Sequence, residues 1–317
     1  MTAQGDGRVQ WLGRVATDSG QFAILALDHV RSFATSVRPH DPDSLTPDLI
    51  RDAKQRLIEG LVVHASAVLL DPVTVMGRIE AGLQPLSVGL IVGIEDGDYD
   101  DAAVSPRLLP GWNVERAARL GADAVKISFY FDPAGDVGPA ERLVKESVRQ
   151  CAAVGLPLFC EPLVRIRGAA DAGRTVLEGV RRFGSLGADV LKIQFPFNTE
   201  SDPSRSAWAD ACAEADELSP SPWALLSEGR DYHEFRELLA IACRAGASGF
   251  LGGRAIWGGA ISSPDAMATY ARRLADLRAI AIAEGSPYSR KTPDAERPQR
   301  AAVLPDGQSD PASPQGH

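Results

Sequence analysis

Two lysines stand alone in stretches that otherwise have the composition of buried strands. Lys126 lies in Asp123–Phe131 and Lys192 lies in Asp189–Phe195, and a Leu-Gly-Ala-Asp sequence leads into each stretch. Lysine is rarely buried without a reason, and burial favours the neutral amine over the ammonium ion. Because a neutral amine attacks carbonyl carbon, the two positions predict Schiff-base chemistry on a ketone or aldehyde.

Short apolar stretches alternate with amphipathic ones along most of the chain. We expect strands near Phe22–Asp28, Ser66–Asp71, Gly89–Glu95, Asp123–Phe131, Pro157–Glu161, Asp189–Phe195, Trp223–Glu228 and Ser248–Gly253. We expect helices at Asp48–Gly60, Ala140–Val154, Ala172–Leu186, Tyr232–Ala245 and Asp265–Ala283. Eight such units predict an α/β protein with a single (β/α)8 TIM barrel. The rival is a doubly wound sheet, which the lack of G-x-G-x-x-G after the first strand disfavours.

The barrel is expected to occupy residues 1–285. From residue 286 to residue 317 the sequence is polar and Pro-rich and has no hydrophobic periodicity. Such a segment buries too little apolar surface to offset the entropy of ordering it. We therefore predict a disordered C-terminal tail without a catalytic role.

Alternation along the strands indicates which side chains face the barrel interior. Lys126 and Lys192 fall on the polar faces of strands four and six, and Glu95 and Glu161 end strands three and five. Side chains from alternate strands share a layer in such a barrel, so the two lysines can lie in one layer. Because Ser128 and further residues follow Lys126 on its strand, we also expect Lys126 to lie deeper than Lys192.

The converging lysines and carboxylates allow two interpretations. A neighbouring cation favours a neutral lysine, and a carboxylate such as Glu161 can move the protons that Schiff-base formation requires. Alternatively, Lys126 and Lys192 form only structural ion pairs with Glu95 and Glu161. The matching positions of the two lysines favour the catalytic interpretation.

The ends of strands seven and eight predict an anion-binding site. Ser227 and Gly229 follow strand seven, and Gly253 and Arg254 follow strand eight. Loops at these positions of a barrel often bind phosphate through backbone N–H groups, and arginine suits a phosphate or sulfonate. Glycines also occur in ordinary tight turns, which is the alternative interpretation.

Bulk properties exclude several classes of protein. The net charge of −9 argues against nucleic-acid binding, and no apolar run is long enough for a membrane span. No signal peptide is apparent, and the four cysteines lack C-x-x-C spacing. The five histidines show no metal-ligand spacing. We expect a cytoplasmic enzyme without metal or cofactor that acts on a small-molecule substrate, and a homo-oligomer is compatible with the sequence.

These residues together resemble the class I aldolases of the tagatose-1,6-bisphosphate aldolase type, which include the sulfofructose-phosphate aldolases. The wider superfamily holds the archaeal class I fructose-bisphosphate aldolases and deoxyribose-phosphate aldolase. The similarity covers about residues 20–280, and its segments occur in order at strand ends. They are Leu25–Asp28, Leu69–Pro72, Glu95 with Gly97–Asp100, Asp123–Lys126, Leu158–Glu161, Ala188–Lys192 and Gly252–Trp257.

The resemblance implies a role for each site residue. Lys192 is the implied Schiff-base lysine, Lys126 its neighbouring cation, and Glu161 a proton-transfer residue assisted by Glu95. The implied substrate-binding residues are Asp28, Arg31, Asp71, Ser227, Gly229, Gly253 and Arg254. The implied reaction is reversible cleavage of a phosphorylated ketose, like tagatose bisphosphate, fructose bisphosphate or sulfofructose phosphate, to dihydroxyacetone phosphate and an aldehyde. The alternatives are another Schiff-base lyase or transaldolase on the same barrel, and a non-catalytic protein that binds sugar phosphates.

The chain departs from the pattern of these aldolases at two positions. Where they have Asp-Gln-Arg after strand one, this chain has Asp28-His29-Val30-Arg31. Where the tagatose and sulfosugar enzymes have a small residue between the serine and the glycine after strand seven, this chain has Glu228. Both departures bear on the choice of substrate more than on the reaction.

Overall fold

Eight apolar stretches form eight parallel strands that close into one barrel in chain order in the computed structural model. The strands are β1 Phe22–Leu27, β2 Ala67–Leu70, β3 Gly89–Gly93, β4 Ala124–Tyr130, β5 Leu158–Leu163, β6 Val190–Ile193, β7 Trp223–Leu226 and β8 Gly249–Gly252. The structure describes residues 11–38, 40–97, 105–164, 172–200, 202–258 and 264–292. The predicted (β/α)8 barrel is confirmed.

Helices connect the strands and cover the outside of the barrel. They are α1 Leu12–Val15, α2 Arg31–Val37, α3 Pro47–Leu61, α4 Pro72–Glu80, α5 Val114–Arg119, α6 Gly138–Val154, α7 Ala172–Gly184, α8 Arg205–Leu218, α9 Tyr232–Arg244, α10 Arg254–Trp257 and α11 Pro264–Glu284. The five predicted helices correspond to α3, α6, α7, α9 and α11. The longest of the helices that the sequence interpretation did not assign is α8, whose buried residues Trp208, Cys212 and Ala215 have helical spacing.

Strand β4 shows how the apolar residues divide between two cores. Val125, Ile127 and Phe129 pack outward against the helices, whereas Ala124 belongs to a separate apolar cluster inside the barrel. Lys126 alternates with the outward residues and therefore points inward, as the sequence predicts. The apolar inner cluster fills the end of the barrel where the strands begin, which we call the lower end. The polar inward side chains lie toward the opposite end, where the strands terminate.

The C-terminal segment 286–292 packs on the lower end of the barrel, so the predicted start of disorder at residue 286 is wrong. Tyr288 is only 5% exposed and its ring stacks on Phe22 with centroids 6.0 Å apart. Its backbone N–H donates to the carbonyl of Gly20 at 2.9 Å. Burial of the Tyr288 ring against the barrel interior stabilises this segment although its composition is polar. The rest of the predicted tail, residues 293–317, lies outside the described residues.

Tyr288→Ala should destabilise the protein because it opens the lower end of the inner core. Loss of a buried aromatic side chain costs about 3–5 kcal/mol, and a residue at the edge of a core should cost roughly 2–4 kcal/mol. Chemical denaturation measures the change, with the exposed neighbour Ser289→Ala as control. Truncation after residue 285 should cost as much, whereas truncation after residue 292 should not. Unchanged stability after the shorter truncation would contradict the packing role of Tyr288.

Candidate active site

The strand register places the two lysines in one layer of the barrel. Lys126 pairs with Phe159 on β5, and Cys160 pairs with Leu191 on β6. The strands of this fold tilt, with a shear of about eight residues over eight strands, or about one residue per strand. The residue at the same height on the next strand is therefore the one that follows the register partner. Lys126 is therefore level with Lys192. The inward side chains of this layer, one from each alternate strand, are Leu69, Lys126, Lys192 and Leu251.

The shared layer is confirmed, and the expectation that Lys126 lies deeper is wrong. That expectation counted the residues between each lysine and the end of its strand. Strand β4 has seven residues and β6 has four, so β4 extends farther toward the mouth without starting deeper. Strand tilt and length, which are hidden in the sequence, decide the relative height.

Three carboxylates surround the ammonium group of Lys126. Its Nζ donates to Asp28 Oδ2 at 2.7 Å and to Glu95 Oε1, and lies 3.3 Å from Glu161 Oε2. The Lys126 residue is completely buried. A buried ammonium ion is stabilised when several carboxylates compensate for its lost hydration. The three carboxylates thus favour the charged form of Lys126 and hold its ammonium group in place.

Lys192 has a different environment, with one carboxylate partner among the described residues and access to the cavity. Its Nζ lies 2.8 Å from Glu161 Oε1, and the residue is 4% exposed. The second oxygen of Glu161 accepts a hydrogen bond from Ser128 Oγ. Glu161 therefore bridges Lys126 and Lys192 while Ser128 fixes its orientation.

The carboxyl groups of the cluster differ in their affinity for protons. Burial alone raises the pKa of Asp28 and of Glu161, but the charges of Lys126 and Lys192 outweigh it and bring both pKa values below the usual range. At Glu95 burial outweighs the attraction of Lys126, and the pKa is raised. Carboxyl groups whose pKa values are pushed apart can serve as proton donor and proton acceptor in one site.

Asp71 is engaged in the structure of its own loop. Its Oδ1 accepts a hydrogen bond from the backbone N–H of Thr74 at 3.0 Å, which caps α4. Its Oδ2 accepts from Thr74 Oγ1 at 2.6 Å and from the buried Nζ of Lys54. These contacts favour a positioning role for Asp71 over the predicted substrate contact.

The loops after β7 and β8 meet beside the lysine layer. The backbone N–H of Gly253 donates to Ser227 Oγ at 3.2 Å, which ties the two loops together. Gly229 has a φ of 74°, and a Cβ there would lie 2.6 Å from Arg254 Nη2. Arg254 is exposed and forms no ion pair with another described residue. Its free charge and the adjacent backbone suit an anionic ligand.

A cavity of about 650 Å³ opens at the ends of the strands. Most of the predicted site residues line it, namely Asp28, Asp71, Glu95, Glu161, Lys192, Ser227, Gly229, Gly253 and Arg254. Lys126 lies in the wall behind this lining. Arg31 begins α2, and its side chain lies outside the described part of the structure.

Further residues join the site without having been assigned to it from the sequence. Ser128 orients Glu161, and Gln194 and Glu228 line the cavity beyond Lys192. His29 also lines it, and burial lowers the pKa of His29 to about 4, so the imidazole is neutral at neutral pH. Inward alternation on β4 and β6 was the available signal for Ser128 and Gln194.

The described residues offer neither a cluster of metal ligands nor a helix that could span a membrane. No group of three or more His, Cys, Asp and Glu side chains within the described ranges has an arrangement that could hold a metal ion. No helix in the same part of the chain is both long and apolar enough to cross a membrane.

Comparison with known proteins identifies similar sequences. Residues 22–259 match the DeoC/LacD family of aldolases. Tagatose 1,6-diphosphate aldolase 2 of Streptococcus mutans is 28% identical over 283 residues, which cover 80% of this chain and 85% of that protein. Tagatose 1,6-diphosphate aldolase 1 of Streptococcus pyogenes is 29% identical over 269 residues, which cover 76% of this chain and 82% of that protein.

Solved structures share the fold at lower sequence identity. An archaeal fructose 1,6-bisphosphate aldolase superimposes with a TM-score of 0.62 and 20% identity, and the match covers 86% of this chain and 99% of that one. A second archaeal structure has its catalytic lysine covalently bound to the carbinolamine intermediate of its substrate. It superimposes with a TM-score of 0.61 and 20% identity over 85% of this chain and 99% of that one.

Asp28→Asn should make the free energy of unfolding depend less on pH in the acidic range. A carboxyl group whose pKa falls below its ordinary 3.8 on folding stabilises the native state above that value. This contribution is lost as the pH falls toward the lowered pKa of the folded state. The slope of unfolding free energy against pH below about pH 4 should decrease by up to about 1.4 kcal/mol per pH unit.

Denaturant titrations at several acidic pH values measure this slope. Asp48→Asn is the control, because the Asp48 side chain is 77% exposed and its ion pair is with Arg51 on the same helix. An unchanged slope in Asp28→Asn would contradict an ionised Asp28 paired with Lys126.

Proposed function

The chain belongs to the DeoC/LacD family of aldolases, and on that premise we propose that it cleaves a ketose phosphate through a Schiff base on Lys192. The enzyme class expected from the sequence, an aldolase and therefore a carbon–carbon lyase, is confirmed by the family match. The assignment of Lys192, the roles of its neighbours and the substrate are the parts proposed here.

One observation carries the assignment of the nucleophile. Lys192 lines the cavity and has one carboxylate partner, whereas Lys126 is absent from the lining and is surrounded by three carboxylates. An amine must reach the substrate and lose its proton before it attacks a carbonyl group. Lys192 meets both requirements, because Glu161 next to it can accept that proton.

The covalent steps follow from these positions. The Lys192 amine attacks the carbonyl carbon C2 of the ketose, and the carbonyl oxygen takes up a proton to give a carbinolamine. Loss of water then gives an iminium ion. When the C4 hydroxyl loses its proton, the C3–C4 bond breaks, the electron pair moves into the iminium group, and the aldehyde leaves. Protonation of the enamine at C3 and hydrolysis release dihydroxyacetone phosphate and the free lysine.

Carboxyl groups around the lysines move the protons in this scheme. Glu161 contacts Lys192 and is ionised, so it can accept the proton of the attacking amine and return it to the departing water. Glu95, whose pKa is raised, assists by exchanging protons with the substrate hydroxyl. Lys126 remains a cation that holds both carboxylates in place.

The substrate class follows from the cavity and from the relatives. The two streptococcal proteins are named for tagatose 1,6-diphosphate, and the archaeal structures are of fructose 1,6-bisphosphate aldolases. Ser227, Gly229, Gly253 and Arg254 offer the present chain a place for one phosphate group beside Lys192. A ketose phosphate of this kind fits both, and the scheme requires no metal ion, because the iminium group accepts the electrons.

Borohydride reduction in the presence of dihydroxyacetone phosphate tests the proposal. Reduction should add mass to the peptide that contains Lys192, because borohydride converts the iminium ion into a stable secondary amine. Lys192→Met should abolish both trapping and cleavage. Lys126→Met keeps the nucleophile and should still allow some trapping, with activity shifted to higher pH because a nearby positive charge is lost.

Peptide mass spectrometry of the reduced protein locates the adduct. An adduct on Lys126 would reverse the proposed roles. Cleavage without trapping of either lysine would exclude the Schiff-base mechanism, and absence of both cleavage and trapping would favour a non-catalytic binding protein.

Arg254→Ala should impair phosphorylated substrates selectively. A hydrogen bond to a charged group contributes about 1.5–3 kcal/mol, so kcat/KM should fall by roughly 10- to 150-fold. The unphosphorylated ketose should be cleaved with nearly unchanged kcat/KM, which serves as the internal control. Equal losses for both substrates would show that Arg254 supports the loop and does not bind phosphate.

A further inference from the structure

Glu228 places a carboxylate within the loop assigned to anion binding. It stands between Ser227 and Gly229, and its φ of 50° is the one positive φ of a non-glycine residue in the described ranges. A left-handed backbone conformation is unfavourable for a residue with a Cβ, so contacts of the Glu228 side chain must stabilise this conformation. Glu228 also lines the cavity.

Those contacts turn the Glu228 carboxylate toward β6. Its Oε1 accepts a hydrogen bond from Gln194 Nε2. Gln194 is itself held by Val164, because its Oε1 accepts from the backbone N–H of Val164 at 2.8 Å and its Nε2 donates to the carbonyl at 3.1 Å. Gln194 follows Lys192 by two residues on the same inward face. The carboxylate thus points toward β6 and lines the cavity that Lys192 and Arg254 also line.

The charges around the loop balance almost completely. Arg230 Nη2 lies 3.6 Å from Glu228 Oε2, but Arg230 Nη1 also donates to Glu234, so one guanidinium is shared by two carboxylates. With both carboxylates ionised, this group of three carries a net charge of −1, opposite in sign to Arg254; burial raises the pKa of Glu228, and the contacts with Gln194 and Arg230 oppose that rise. A small residue at position 228 would instead leave an uncompensated positive charge for a phosphate dianion.

We propose that Glu228 makes the β7–β8 loops selective for a singly charged anionic group over a doubly charged one. This inference rests on the proposed anion site and narrows its ligand to a monoanion, such as a sulfate ester, a sulfonate or a singly ionised phosphate ester. Oε2 of Glu228 is buried and has no hydrogen-bond partner among the described residues, so its nearest charged neighbour is Arg230 at 3.6 Å.

The distance between the two sites makes the effect measurable. Neighbouring strands are about 4.8 Å apart, so a carboxylate over β6 and an anion over β7 and β8 are separated by roughly 5–10 Å. Coulomb repulsion at that distance changes binding severalfold per charge at the effective dielectric constant of a partly buried site. Because the repulsion is proportional to the ligand charge, the fold-change for a dianion should be about the square of that for a monoanion.

Methyl sulfate and methyl phosphate are suitable probes, because they have the same shape and carry one and two negative charges at about pH 8. Calorimetric titration should show that Glu228→Gln strengthens methyl sulfate binding by roughly threefold and methyl phosphate binding by roughly tenfold. Glu228→Gly, which suits the positive φ, should show the same preference if the first variant fails to fold.

Two further variants separate the possible failures. Glu234→Gln removes the other carboxylate of Arg230, which does not line the cavity, and should change the ratio of the two affinities less than Glu228→Gln does. Arg254→Ala should weaken both probes, and if it weakens neither, the proposed anion site is wrong. If Arg254→Ala weakens both but Glu228→Gln changes their affinities by equal factors or not at all, the site stands and the role of Glu228 is overturned.

Discussion

The carboxylate of Glu161, shared between two buried lysines, is the contact on which the polar interior of the barrel depends. Separate oxygens of Glu161 face Lys192 and Lys126, and Ser128 fixes its orientation. Two ammonium groups inside an apolar barrel would be very costly without such compensation. The fold supplies it with carboxylates just beyond β1 and β3 and within β5, whereas the inner cluster below remains apolar.

Different surroundings give the two lysines of one layer different roles. Lys126 has three carboxylates and no access to the cavity, so its charge is a permanent part of the structure. Lys192 has one carboxylate and lines the cavity. A site that needs both a fixed cation and a nucleophile can therefore use the same residue type twice, because the neighbours determine what each one does.

The sequence predicted the architecture and most of the cluster because both follow from local patterns. Alternation along β4 placed Lys126 inside the barrel, and strand ends brought Glu95 and Glu161 to the same mouth. Properties that depend on distant contacts were missed. Strand tilt decided the height of Lys126, Lys54 from α3 engaged Asp71, and Tyr288 packed under Phe22 from within a polar segment. None of these leaves a periodic signal in the sequence.

A crystal structure of the protein after soaking with dihydroxyacetone phosphate and reduction with borohydride tests the central claim most directly. We expect continuous density from Lys192 Nζ to C2 of the ligand, Glu161 within about 3.2 Å of the new amine, and the phosphate against Gly229, Gly253 and Arg254. Lys126 should remain unmodified between its carboxylates. Density joining the ligand to Lys126, or a phosphate bound at the opposite side of the cavity, would contradict the account.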